Sequence, residues 1–156
     1  MIRPALLAFA IALAPLPALA GAAEDAYLAK LVGVWTGSGK LTGGETAAID
    51  CRLTVRQVAA GVNFAAKCDV TDLPDQNFSG VISYNDAKKQ YEAKSPGGDI
   101  TVGTKNGGTL TFSGKVKGIA EGTSTMKLST SKIVVETVVR RPGGTEDIKS
   151  TLELKR

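Results

Sequence analysis

From Val32 onward the chain alternates apolar and polar residues in short runs separated by Gly, Pro, Asn and Asp, the period-two pattern of strands in an antiparallel meander. The runs predict about ten strands, at 34–41, 48–58, 62–70, 78–84, 89–94, 99–104, 109–117, 123–129, 132–140 and 147–155. Asn85-Asp86, Pro96-Gly97-Gly98, Asn106-Gly107-Gly108 and Pro142-Gly143-Gly144 supply residues that tolerate positive φ or fix a bend, so neighbouring strands should pair in sequence order. Helical spacing occurs over Glu24 to Val32. There Tyr27, Leu28, Leu31 and Val32 make an apolar stripe between an acidic start and Gly33.

Alternation assigns an inner face to Trp35 and Leu41; Leu53 and Val55; Phe64 and Ala66; Phe78, Ile82 and Tyr84; Tyr91; Ile100 and Val102; Leu110 and Phe112; Met126 and Leu128; Ile133, Val135 and Val139; and Ile148, Leu152 and Leu154. Most opposite positions are Thr, Ser, Lys or Glu. One apolar face on so many sequential strands calls for closure, because a flat sheet would leave that face and two edges in water. The predicted fold class is therefore all-β, an up-and-down antiparallel β-barrel of about ten strands with a short N-terminal helix. Strand glycines at 37, 39, 80, 103 and 114 fit barrel corners, where the backbone bends or another group packs close.

The two cysteines, Cys51 and Cys68, have positions that say more than their number. If 50–58 and 62–70 form a hairpin around Ala59-Ala60, Cys51 faces Cys68, Leu53 faces Ala66 and Val55 faces Phe64, all on the apolar side. Facing residues lie roughly 4.5–5.5 Å apart at Cα, close enough for a disulfide. Such a bridge contributes about 3 kcal/mol of stability and no chemistry.

Residues 1–20 have the three parts of a secretory signal: basic Arg3, an apolar run from Ala5 to Leu16, and the small-residue ending Ala18-Leu19-Ala20. Cleavage after Ala20 would leave residues 21–156 as a single domain in the periplasm or outside the cell, a compartment that favours the disulfide. No cysteine follows the leader to carry a lipid, so no membrane anchor is expected. The formal net charge of +4 is spread among acidic residues rather than gathered on one face, which argues against a nucleic-acid partner.

Gly33-Val34-Trp35, between the short helix and the first strand, resembles the Gly-x-Trp start of lipocalin-like (calycin) barrels. Trp35-Thr36-Gly37-Ser38-Gly39, Gly80-Val81-Ile82-Ser83-Tyr84-Asn85 before the turn to Tyr91, and the ending Leu152-Glu153-Leu154-Lys155-Arg156 are similar to the nitrobindin-type branch. The resemblance implies a pocket for a small apolar or amphipathic molecule, an arginine such as Arg156 covering Trp35, and, in nitrobindins, a haem held by histidine. The chain has no histidine, so histidine-ligated haem is excluded, and Met126, Tyr84 or Tyr91 would be the substitute ligands. No cofactor is expected.

The same absence removes Ser-His-Asp triads and histidine-based metal sites. Asp69, Asp72, Asp75, Asp86 and Asp99 read as strand-end and loop carboxylates, and the 69–75 loop lacks the ligand spacing of a calcium site. No catalytic residue and no metal ligand is assigned. The leading expectation is an exported, non-enzymatic binding protein with a fatty acid or lipid-like ligand touching Trp35, Phe64, Ile82, Tyr84, Tyr91, Phe112 and Met126. Only seven aromatic residues remain once Phe9 leaves with the signal, so the interior is under-filled. The alternative is a protein-binding barrel, such as a periplasmic protease inhibitor, with a solid core.

Overall fold

The computed structural model describes residues 20–43, 46–115, 122–140 and 147–156. The proposed leader, apart from Ala20, and the Pro142-Gly143-Gly144 turn lie outside these residues. A helix, α1 (Ala20–Ala29), precedes ten strands: β1 (Gly33–Thr42), β2 (Ala47–Val58), β3 (Gly61–Val70), β4 (Gln76–Asn85), β5 (Gln90–Lys94), β6 (Ile100–Asn106), β7 (Thr109–Lys115), β8 (Gly122–Leu128), β9 (Ile133–Val139) and β10 (Ile148–Lys155). Each strand pairs antiparallel with the next, and β10 returns to β1, closing a calycin-like barrel.

The β2–β3 hairpin has the register that the cysteines demand: Cys51 faces Cys68, Leu53 faces Ala66 and Val55 faces Phe64. The disulfide joins Cys51 and Cys68 across a Cα separation of 4.1 Å. The helix differs from expectation at both ends. It starts at Ala20, four residues before Glu24, and finishes at Ala29. Lys30, Leu31 and Val32 then donate backbone hydrogen bonds three residues back, a tightened last turn that delivers the chain to Gly33.

Cross-strand pairing arranges part of the interior in rows. Next to α1, Leu110, Leu128, Ile133 and Leu154 stand side by side, ending against Gly37. The next row is Phe112, Met126, Val135 and Leu152, ending against Gly39. The third is Gly114, Ser124, Thr137 and Ser150, ending against Leu41. Side-chain volume therefore falls from the helix end toward the other end. The first row is fully packed and dry; the third is half-exposed and lined with hydroxyls.

Strand β6 reverses the predicted inner face. Ala93 faces Thr101, and Tyr91 faces Gly103, which in turn faces Phe112, so Ile100 and Val102 point outward at 53% and 49% exposure. The inner site at Gly103 is already taken: a Cβ there would come within 2.4 Å of the Phe112 ring. Phe78 does share the inner face with Ala66, but it stands at the barrel mouth, 56% exposed.

Candidate functional site

The helix end of the barrel is closed. Leu28 of α1 and Leu31 just after it are fully buried, as is Trp35, whose indole Nε1 donates to the Leu31 carbonyl at 2.9 Å. The Arg156 guanidinium lies 4.4 Å from the centre of the Trp35 ring and donates to the Lys30 carbonyl, tying the last residue to the end of the helix. A cation against an aromatic face and a satisfied carbonyl together hold the joint between helix and barrel.

Beside it, Tyr27 donates to the Leu128 carbonyl at 2.8 Å, and its ring meets Tyr91 edge-on at 6.2 Å. Tyr91 also packs edge-on against Tyr84 at 5.1 Å. The Tyr91 hydroxyl and the Lys105 ammonium both donate to the Glu24 carboxylate. Lys105 stands 4.9 Å over the Tyr27 ring and 5.7 Å over that of Tyr91. The hydrogen bond from Lys105, followed by that from Tyr91, holds the Glu24 carboxyl below its ordinary range. Burial, reinforced by the neighbouring Glu24 carboxylate, pushes the Tyr91 phenol far above its ordinary value, and burial raises Tyr27 as well. These groups fasten α1 to the barrel, and Tyr27 and Tyr91 stay protonated at any physiological pH.

Beyond the aromatic row the interior opens. Phe64, Phe78, Ala93, Phe112 and Met126 form the floor of a cavity of about 510 Å³, with Gly114 and Ser124 of the small-residue row beside them. The volume lies within the roughly 300–1,000 Å³ range of small-molecule sites. Its opening is a break in the wall. The β4–β5 ladder stops at Val81 and Lys94, although β4 continues to Gln76 along β3. The β6–β7 ladder begins only at Gly103 and Phe112. The tip of the β5–β6 hairpin thus lacks strand partners on both flanks, and it closes on itself through Ser95 N to Asp99 O and Gly98 N to Ser95 O, both 2.9 Å. Lys94 and Lys115 stand at the mouth.

Of the seven residues chosen from sequence, Phe64, Phe112 and Met126 meet in this cavity. Trp35, Ile82, Tyr84 and Tyr91 do not line it. Trp35 is sealed under Arg156, Ile82 is packed into the core, and Tyr84 and Tyr91 belong to the aromatic cluster beneath α1. Phe78, which alternation places only on the inner face, also lines the cavity, as do Lys94 and Lys115, which no sequence signal marks. The readable signal was the run of small inward residues at 114, 124, 137 and 150, which needs the register before it can be recognised as a row. A second depression, of about 470 Å³, lies over Arg52, Lys67, Asp50 and Asp69 on the outer face. Lys67 there pairs with Asp75 at 2.7 Å, which occupies part of the acidic 69–75 segment. Among the described residues no three acidic or cysteine side chains gather as a metal site.

No protein-family model matches the chain, and no curated protein matches it significantly. Solved structures do. The S-type phycobiliprotein lyase CPES from Guillardia theta superposes with a TM-score of 0.61 at 10% identity, covering 85% of this chain and 90% of its own. Rv2717c from M. tuberculosis superposes with a TM-score of 0.55 at 15% identity, covering 89% of this chain and 98% of its own. At these identities the likeness is one of architecture, and it places the chain among calycin-like ten-stranded barrels.

Proposed function

We propose that this chain is an exported binding protein of the nitrobindin type, without haem, that holds a small apolar or amphipathic molecule such as a fatty acid in its barrel. It carries out no catalysis in this reading, and its leader is removed after Ala20. The observation that carries the reading is the 510 Å³ cavity floored by Phe64, Phe78, Phe112 and Met126. The floor is apolar and the rim is polar, with Asn77, Ser79, Ser95, Asp99 and Thr101 beside the two lysines, and an apolar floor with polar groups to orient a ligand is the usual character of a small-molecule site. The cavity weighs against the alternative of a solid-cored protease inhibitor.

Two experiments test the reading. A fluorescent fatty-acid probe titrated into the delipidated protein should bind saturably, and Ala93→Phe, which places a ring in the cavity, should weaken binding by about tenfold or more while the far-ultraviolet spectrum is kept. No saturable binding by folded protein would overturn it. After cell fractionation the protein should be found in the periplasm with its N-terminus at Gly21; recovery only from the cytoplasm would refute export, and an intact Met1 in the periplasm would refute cleavage.

A further inference from the structure

We infer that the cavity takes a single-tailed amphipathic anion, with the tail against Phe64, Phe112 and Met126 and the negative head group between Lys94 and Lys115 at the side opening. This deepens the binding reading and rests on it.

The orientation follows from which parts of the barrel are closed. A tail cannot enter past α1, because Leu28, Leu31 and Trp35 fill that end without exposure, and Tyr27, Tyr91, Glu24 and Lys105 bind the helix down. The opening described above lies in the side wall, where β4 runs on past the end of β5 and the β6–β7 ladder has not begun. Phe78, more than half exposed on the inner face of β4, continues the apolar floor up to this opening. A ligand that covered it would remove an aromatic face from water.

Charge at the opening selects the head group. Lys94 ends β5, Lys115 ends β7, and both line the cavity while remaining exposed. Neither forms an ion pair with another described residue, whereas Lys67, Lys88, Lys105, Lys127, Lys132 and Lys155 all do. The acidic residue at the mouth, Asp99, is engaged by the Ser95 hydroxyl at 3.1 Å and by its place in the hairpin turn. Two exposed lysines and one engaged carboxylate thus line the opening at the edge of an apolar floor. A neutral head group would leave the attraction unused, and a cationic one would meet repulsion. Each exposed pairing contributes modestly, so two together imply a preference of about tenfold, weakened by salt.

The test is displacement of the fluorescent probe from the delipidated protein by three ligands with one tail: dodecanoate, dodecanol and dodecyltrimethylammonium, at pH 8. Dodecanoate should displace at about tenfold lower concentration than the other two, and the gap should narrow between 0.05 and 0.5 M salt. In Lys94→Gln/Lys115→Gln the gap should close because dodecanoate weakens while dodecanol is unchanged. Equal displacement by all three in the wild type, or a gap that survives the double substitution, overturns the head-group assignment and leaves the cavity reading standing. Failure of every ligand to displace overturns both.

Discussion

Two glycines in the barrel wall are opposite cases at the level of single residues. A Cβ on Gly37 would fall on the Glu153 carbonyl oxygen and within 2.9 Å of Leu154 Cα, backbone atoms of the strand that closes the barrel. Neither strand can retreat without breaking the β1–β10 ladder. A Cβ on Gly114 would meet only the Thr101 side chain, at 3.5 Å or more, an ordinary contact. Gly37→Ala should therefore cost about 3 kcal/mol, the upper end of overpacking, whereas Gly114→Ala should be neutral or stabilise by up to about 0.5 kcal/mol. Urea unfolding midpoints compare them directly, and equal effects would contradict the assigned contacts. Arg156 makes a third case: replacing it with Ala removes the cation over Trp35 and a donor to the Lys30 carbonyl, a loss of about 1 kcal/mol with a change in the emission of the single tryptophan. Unchanged emission would mean that the guanidinium does not rest on the ring in solution.

Among the elements, the β2–β3 hairpin shows what alternation can encode. Cysteines, a two-residue turn and matched apolar positions all require one register, and a slip of one residue would put the two sulfurs on opposite faces of the sheet. Its disulfide should contribute about 3 kcal/mol, read as the difference in urea unfolding with and without reductant, and coincident curves would refute that contribution. Strand β6 shows the limit. Its branched apolar residues, Ile100 and Val102, suit a strand on either face, while its inner positions are Thr101 and Gly103, and Gly103 is small because the Phe112 ring from β7 needs the space. No local pattern carries that information, because the ring comes from a different strand. The same holds for the cavity. Phe64, Phe112 and Met126 were readable as inward residues, but the row of small side chains beside them exists only once β7 to β10 are placed in register. The helix is an intermediate case: its apolar stripe was legible, whereas the partners of Glu24 lie 67 and 81 residues away on β5 and β6.

For the whole molecule, the distribution of titrating groups fixes how stability follows pH. The carboxyls that shift all shift downward: Glu24 through Lys105, Asp75 through Lys67, Glu92 through Gln90 and then Lys88, and Glu153 through Lys155 and then Lys132. A carboxyl depressed by folding adds stability above its unfolded value, near 4 to 4.5, and loses it as pH falls through the folded value. The shifted phenols move the other way. Tyr91 and Tyr27 are raised by burial, so the unfolded chain ionises first as pH climbs past about 10, and stability falls from there. Lys67, raised by its bond to Asp75, acts in the same sense above about 10.5. Between these limits the chain has no histidine, and its two cysteines are joined. The side chains that ordinarily titrate near neutrality are therefore missing or blocked. Urea midpoints measured at constant ionic strength should stay level from about pH 5.5 to 9 and decline on both sides. A slope between pH 6 and 8 would require a group whose protonation changes on folding in that range, and none of the shifted groups described here supplies one.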